Sequence, residues 1–440
     1  MDEVLDLYKA FCNETYAPDA LTPDWVKNMI LLEVYPKYYA GGFREITERL
    51  PFYREIGFNT LYLMPHWLGG YSPIDFYTVD PAYGTKANLK KLVDKAHRLG
   101  MKVFFDMVIH GFNERSPIIE SNPELFVHDT LGNITRHRTW KSMSSDWAST
   151  HYLKYMSELA SHHIQEYDID GYRLDAASYK GPGWDKNTEH PAYKSGTNAV
   201  EVMKVMLQSL RSVKPDAMIL NEVFGPVFYR VSNLAHDNQT EAPQQFLEKM
   251  ERGEVTIQDY KKHMQRVFAM LPDNTNRVFF ARNHDTSWFY HFNSYTSAFL
   301  NLDAVHTFCA IPEVFAGDHH RSKAPNPDDD PKVWDFYKKI FAIKEKIPEL
   351  NTGKLLLKEV SCNNKNVFTA IRRSNDNAYL LLISFSDQPV EVNIALSPSL
   401  QLESQSIEFT DPVSGNVFRS KIGPEGLRLG PYQILIGKVS

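Results

Sequence analysis

The stretch Ile169-Asp170-Gly171-Tyr172-Arg173-Leu174-Asp175-Ala176-Ala177 decides the architecture. It begins as an apolar run of strand length and breaks off at a carboxylate followed by two small residues. Side chains alternate along a strand, so Arg173 and Asp175 point the same way. An isolated strand-end Asp is more often a helix cap than a catalyst. Here the pattern recurs. Strand-length apolar runs lie at 29–35, 60–64, 102–108, 169–174, 217–221, 231–236, 278–282 and 311–315. Helical faces lie between and after them. Leu89, Leu92, Val93, Ala96 and Leu99 form one, closed by Gly100. Tyr152, Tyr155, Met156, Leu159 and Ala160 form another, and Trp334, Tyr337 and Phe341 follow the last strand. Alternating βα units in this number predict an α/β fold, a parallel (β/α)8 TIM barrel.

In such a barrel the C-terminal ends of the strands converge on one mouth, where function is built. Asp106, Asp175, Glu222 and Asp285 all fall at predicted strand ends. Each alone is weak. Together, in order and at barrel spacing, they predict a site rich in carboxylates.

Working outward, residues 110–147 are polar and irregular, too long for an ordinary βα loop, and read as a functional excursion after the third strand. Beyond about residue 350 the pattern changes to short strands at 367–372, 378–385, 390–395 and 433–437, split by turn residues. The expected organisation is 1–109, the first part of the barrel with an N-terminal helix; 110–147, a short insertion; 148–350, the rest of the barrel; and 351–440, an antiparallel β domain. Val4, Leu5, Tyr8, Phe11 and Cys12 predict that the N-terminal helix packs onto the body. A chain of 440 residues has room for all of this.

The net charge of −6 is spread along the chain and forms no basic stripe, so nucleic acid is not an expected partner. No apolar run approaches membrane-spanning length, and the acidic N-terminus lacks a signal-peptide core. Cys12, Cys309 and Cys362 suggest neither a disulfide framework nor a zinc site. The expectation is a cytoplasmic protein with no cofactor and no membrane partner; the sequence does not fix its oligomeric state.

These motifs resemble the α-amylase family of glycoside hydrolases. The resemblance runs from Val34-Tyr35 and Gly57-Phe58-Asn59-Thr60-Leu61-Tyr62-Leu63-Met64-Pro65 through Gly70-Tyr71, Asp75-Phe76-Tyr77 and Asp80-Pro81. It continues in Gly171-Tyr-Arg-Leu-Asp175, Glu222 and His284-Asp285. The excursion looks like the family's domain B, here short, and the β domain like its domain C. The resemblance implies a retaining mechanism on short malto-oligosaccharides or related α-glucosides. Asp175 would be the nucleophile, Glu222 the general acid/base and Asp285 the third carboxylate. Arg173 would keep Asp175 ionised, and two neighbouring anions would keep Glu222 protonated. His284 and Tyr71 would contact the reacting sugar. Transfer or isomerisation through the same intermediate is the alternative. A non-catalytic barrel of the same family is a third reading, against which the full carboxylate set speaks.

Two departures stand out. The family's Asp-x-Val-x-Asn-His reads Asp106-Met-Val-Ile-His110-Gly111. The missing Asn commonly binds calcium, so no metal site is expected. His110 is weighed evenly between a substitute sugar contact and a loop cap. Leu68 stands where many exo-acting relatives carry Asp. Trp67, Trp140, Trp184 and Trp288 fall in predicted loops, as loop packing or as platforms for further sugars.

Overall fold

The structure is a computed structural model that describes residues 2–16, 22–137, 140–177, 199–222, 226–232, 234–236, 243–273, 275–285, 295–316, 331–400, 406–421 and 426–439. Eight parallel strands close into a barrel. They are β1 Leu31–Val34, β2 Thr60–Leu63, β3 Lys102–Val108, β4 Gly171–Asp175, β5 Met218–Asn221, β6 Leu234–His236, β7 Asn276–Phe279 and β8 Ile311–Ala316. Neighbours follow chain order, and β8 pairs with β1. The strands are buried almost throughout, as expected of a parallel sheet covered on both faces.

Helix α1 is Asp2–Tyr16. The outer layer holds α2 Phe43–Ile56, α3 Lys86–Arg98, α4 Thr150–Tyr167 and α5 Ala199–Val213. It continues with α6 Pro243–Glu251, α7 Ile257–Ala269, α8 Ser297–Cys309 and α9 Pro331–Lys346. Their starts follow local chemistry. Thr85 and Asn88 form a reciprocal capping box on α3, and the Ser149 hydroxyl accepts from the Tyr152 amide on α4. Between β5 and β6 the described residues hold a 3-10 turn, Pro226–Arg230.

Three sequence expectations are adjusted. The seventh strand lies earlier than 278–282, because strand pairing ends at Phe279 although apolar residues continue to Ala281. The sixth is confined to three residues. On α1 only Cys12 is fully buried, while Val4, Leu7, Tyr8 and Phe11 are exposed. The helix is held instead by polar contacts: Lys9 and Asn13 both engage Asp273.

The excursion after β3 has its own small antiparallel framework. Gly111–Phe112 pairs with Met143–Ser144, with bridges at Phe126–Ser145 and His128–Ile134. Its base is tied down where Trp147 Nε1 and Tyr152 Oη both donate to the Ile109 carbonyl, at 2.8 and 2.7 Å. After β2, a short hairpin pairs Trp67–Leu68 with Asp75–Val79. Gly69 turns it at φ +96°, and a Cβ there would lie 2.3 Å from the Ser72 carbonyl.

The C-terminal part holds β9 Lys354–Leu356, β10 Val367–Arg373, β11 Ala378–Ser384, β12 Ser406–Thr410, β13 Val417–Lys421 and β14 Ile434–Val439. They form one six-stranded antiparallel sheet in the order β9-β10-β11-β14-β12-β13. The run expected at 390–395 divides into Val390–Val392 and Ile394–Leu396, which pair with different partners. Buried basic side chains join this sheet to the barrel. Lys261 on α7 donates to the Val360 carbonyl and to Thr369 Oγ1, and Arg372 on β10 donates to the Cys309, Glu349 and Leu350 carbonyls.

Candidate active site

The barrel register brings the chemistry together. β3 pairs with β4 so that Asp106 lies beside Arg173 and Val108 beside Asp175. Leu174 pairs with Asn221, which places Glu222 next along β5. Arg173, fully buried, is the hub. Its Nη1 donates to both Asp106 oxygens at 3.1 Å and to Asp175 Oδ1 at 2.8 Å. Its Nη2 lies 3.2 Å from Glu222 Oε1. One guanidinium thus draws the two candidate reacting carboxylates to a single point. Glu222 Oε2 also accepts the Ala176 amide. Directly after this amide the chain turns, with Ala176 at φ +47°, a conformation that L residues adopt at a cost.

A second arm reaches the site through tyrosines. Tyr62 and Tyr71 both donate to Asp106 Oδ2, at 2.6 and 2.9 Å. Tyr71 Oη lies 3.0 Å from His284 Nε2, and the two rings stack at 5.7 Å and 16°. His284 Nε2 is 3.5 Å from Asp285 Oδ1, and its Nδ1 bonds buried Glu33. Asp285, half-exposed, lies beyond the end of β7 in the loop. The hairpin turn after β2 therefore delivers Tyr71 to the same mouth as Asp175, Glu222, Asp285, Arg173 and His284.

His110 is at this mouth too. Its Nε2 faces Asp175 Oδ2 at 3.6 Å and its Nδ1 is 3.2 Å from Ser142 Oγ. Its ring lies 4.3 Å from Trp140, which stacks on His137 at 4.1 Å. Trp140, 41% exposed, thus borders the site. Trp67 does not: it is buried and stacked on His163 at 4.4 Å and 8°, a core residue. Trp184 and Trp288 lie outside the described residues.

Sequence reasoning missed Glu33, Tyr62 and the second buried pair behind them, His236 Nε2 and Glu313 Oε2 at 2.5 Å. The signal was present as a single carboxylate inside each of two apolar strands, since a buried charge needs a partner.

Burial, then the charge of Glu222, pushes the Asp175 carboxyl well above its ordinary range, against the pull of Arg173. The expected pull of Arg173 toward an ionised Asp175 is present, but burial and Glu222 oppose it. Burial disfavours the Arg173 charge, but Asp106 and Glu222 more than offset this. Burial also opposes an ionised Tyr71, and Asp106 adds to it, so the phenol stays a donor.

The family's calcium position does not fit this chain. His110 offers nitrogen where a hard cation takes oxygen. Asp129 Oδ1 is engaged by the amides of Leu131 and Asn133, at 2.9 and 2.8 Å, and Asp146 Oδ1 by that of Ala148, at 2.9 Å. Among the described residues no group of His, Cys, Asp and Glu side chains is arranged to hold a metal. None of the described helices is long and apolar enough to cross a membrane.

Cyclomaltodextrinase of Thermoanaerobacter pseudethanolicus is 23% identical over 75% of this chain and 66% of its own length. Maltogenic alpha-amylase of Bacillus acidopullulyticus is 22% identical over 60% of this chain and 51% of its own length. The chain thus spans only about half to two thirds of these relatives. A solved noncanonic maltogenic alpha-amylase from Thermotoga neapolitana superposes with a TM-score of 0.77 at 20% identity, covering 94% of this chain and 99% of that one; it shares the fold. The family model for the alpha amylase catalytic domain matches residues 18–124 and 136–320, and the chain belongs to the alpha-amylase family.

Proposed function

We propose that this protein is a retaining α-glycosidase of short malto-oligosaccharides or related α-glucosides. Asp175 acts as nucleophile, Glu222 as general acid/base and Asp285 as the third carboxylate. The observation that carries the reading is the Arg173 guanidinium shared by Asp106, Asp175 and Glu222 at the barrel mouth. A retaining enzyme needs two carboxyl groups about 5–5.5 Å apart, one ionised and one protonated. Two carboxyl groups drawn to one buried cation are suited to that division, since neighbouring carboxylates disfavour ionising together. When sugar enters, the proton belongs on Glu222, which delivers it to the leaving oxygen, and Asp175 attacks the anomeric carbon. Asp285 and His284 are at hand for sugar hydroxyls, Tyr71 for the ring face, and His110 for the place of the family's missing His.

The names of the relatives, cyclomaltodextrinase and maltogenic alpha-amylase, support malto-oligosaccharides as the substrate class. The domain division follows the same reading: a barrel at 1–109 and 148–350, a short domain B at 110–147 and a domain C at 351–440. The proposed setting is cytoplasmic, where Cys12, Cys309 and Cys362 remain the free thiols they are here.

The test is product analysis after incubation with maltose, maltotriose, isomaltose, trehalose, sucrose and soluble starch, with proton NMR at early time. Expected is cleavage of at least one α-glucoside with an α-anomer formed first. A β-anomer first, or no turnover of any of them, overturns the reading. A new disaccharide in place of glucose would move the assignment to transfer or isomerisation.

A further inference from the structure

The mechanism above leaves two deeply buried carboxylates unused. Glu33 on β1 and Glu313 on β8 are 0% and 1% exposed. Each faces a histidine, Glu33 with His284 and Glu313 with His236. One oxygen of each, Oε2 of Glu33 and Oε1 of Glu313, has no hydrogen-bond partner among the described residues. Burying such groups costs free energy unless they are paired, so their presence beneath the site calls for an account.

The hydrogen-bond directions supply one. Asp106 is bonded to Arg173 and is therefore an acceptor, so the Tyr71 hydroxyl proton is committed to it. Tyr71 Oη must then accept from His284 Nε2–H. At the other side of the ring, ionised Glu33 accepts from Nδ1–H. Both ring nitrogens donate, and the ring is an imidazolium. The result is a continuous chain from Glu33 through His284, Tyr71 and Asp106 to Arg173 and Asp175.

We propose that Glu33 is a positioning residue: by taking the Nδ1 proton of His284 it keeps that ring doubly protonated, with Nε2–H aimed at Tyr71 and the positive charge held beside the bound sugar. This rests on reading the barrel mouth as a glycosidase site. The Glu313–His236 pair lies behind Glu33 and acts on it through charge. The groups facing this pair come from most of the barrel: Tyr62 on β2, Tyr71 after it, Asp106 on β3, Arg173 on β4, His236 on β6, Asp285 beyond β7 and Glu313 on β8. Burial disfavours a charged His284, yet Glu33 and Asp285 hold it at about 10. Burial raises Glu33 to about 7 against the pull of His284. Above that value Glu33 is an anion; below it Glu33 is neutral, and glutamine imitates it.

The experiment compares wild type, Glu33→Gln and Glu33→Asp. Histidine labelled with carbon-13 at Cε1 is titrated by NMR, with His284→Gln used to assign the resonance, and kcat/KM for a maltodextrin is measured against pH. In wild type His284 should not titrate between about pH 5 and 9. In Glu33→Gln it should titrate near the ordinary value of about 6.5. The kcat/KM of Glu33→Gln should stay within about threefold of wild type near pH 5.5 and fall at least about tenfold below it near pH 8.5. Glu33→Asp, still an anion, should restore the shape of the wild-type profile. A wild-type His284 that titrates near 6.5 overturns the proposal, whether or not either Glu33 variant folds. So does a Glu33→Gln profile parallel to wild type, the mark of a merely structural loss. If His284 behaves as expected but no α-glucoside is turned over, the function proposed above fails while the protonation held by Glu33 stands.

Discussion

Arg173 carries a charge with no exposed surface, tolerable only because three carboxylates surround it. Removing one partner of a buried ion pair leaves the others uncompensated, at about 3–5 kcal/mol. Arg173→Met should therefore lose about that much stability, and the loss should depend on pH. Without the guanidinium the folded-state pKa of Asp175, already raised by burial and Glu222, rises further above its unfolded value. An acid raised in this way is stabilised as a protonated group and loses stability as pH climbs from about 4. Urea melts at pH 5 and pH 8 should show the larger deficit at pH 8; equal deficits would contradict the argument. The same sign applies to Asp175 in wild type, whose carboxyl is already pushed up by burial and Glu222. Asp175→Asn should thus be at least as stable as wild type at pH 8, yet lose at least about 10⁴-fold in kcat. Near wild-type turnover, or a markedly lowered melting temperature, would refute the nucleophile assignment or its electrostatics respectively. Glu222→Gln should lose about 10²–10⁴-fold on maltose-type leaving groups and much less on an activated phenol, which needs little protonation. Equal glycosylation losses for both substrates would count against Glu222 as proton donor.

At the level of the element, β4 shows why the site has so little slack. A Cβ on Gly171 would lie 2.0 Å from the Met218 carbonyl and 2.6 Å from the Phe104 ring, so β3 and β5 close on it from both sides. Gly171→Ala must push β4 outward, and with it Arg173 and Asp175. Overpacking of this kind costs about 1–3 kcal/mol or more, and a displacement near 1 Å can cost about 10²-fold in rate. The variant should fall in both melting temperature and kcat/KM; wild-type values for both would show that the neighbouring strands yield freely. Fully buried parallel strands read as plain apolar runs, which is why β2, β3 and β5 were legible from sequence. Pairing limits were not: Phe280 and Ala281 continue the pattern of β7 because they are buried for other reasons. Asp175, Glu222 and Arg173 were legible because their positions at strand ends are local facts. Glu33 was not, because its partner His284 is 251 residues away and nothing local specifies that meeting. The helical face on α1 misled for a related reason: periodicity gives a face, but only a neighbour gives burial.

At the scale of the whole molecule, the excursion between β3 and α4 decides whether metal is part of the architecture. In a longer insertion, backbone carbonyls and side-chain oxygens can surround a calcium ion, which takes six to eight oxygen ligands. In this one the carboxylates of Asp129 and Asp146 are already engaged within the excursion. Asp129 closes the turn to Asn133, Asp146 holds the Ala148 amide, and Ile109 receives Trp147 and Tyr152. His110 is turned to Ser142 and Asp175, so both of its nitrogens face protein groups. The excursion is instead stitched by its own strand pairing and by Leu125, Phe126 and Phe112, all buried. The expected outcome is that exhaustive EDTA treatment changes neither kcat/KM nor the melting temperature by more than measurement error. Added calcium should likewise leave the melting temperature in place, since any ion bound only to the folded state would raise it by mass action. A drop of several degrees on chelation, reversed by calcium and not by magnesium, would show that oxygens from this excursion do gather around an ion. It would also shift the burden of holding His110 against Asp175 from the Ser142 contact to that ion.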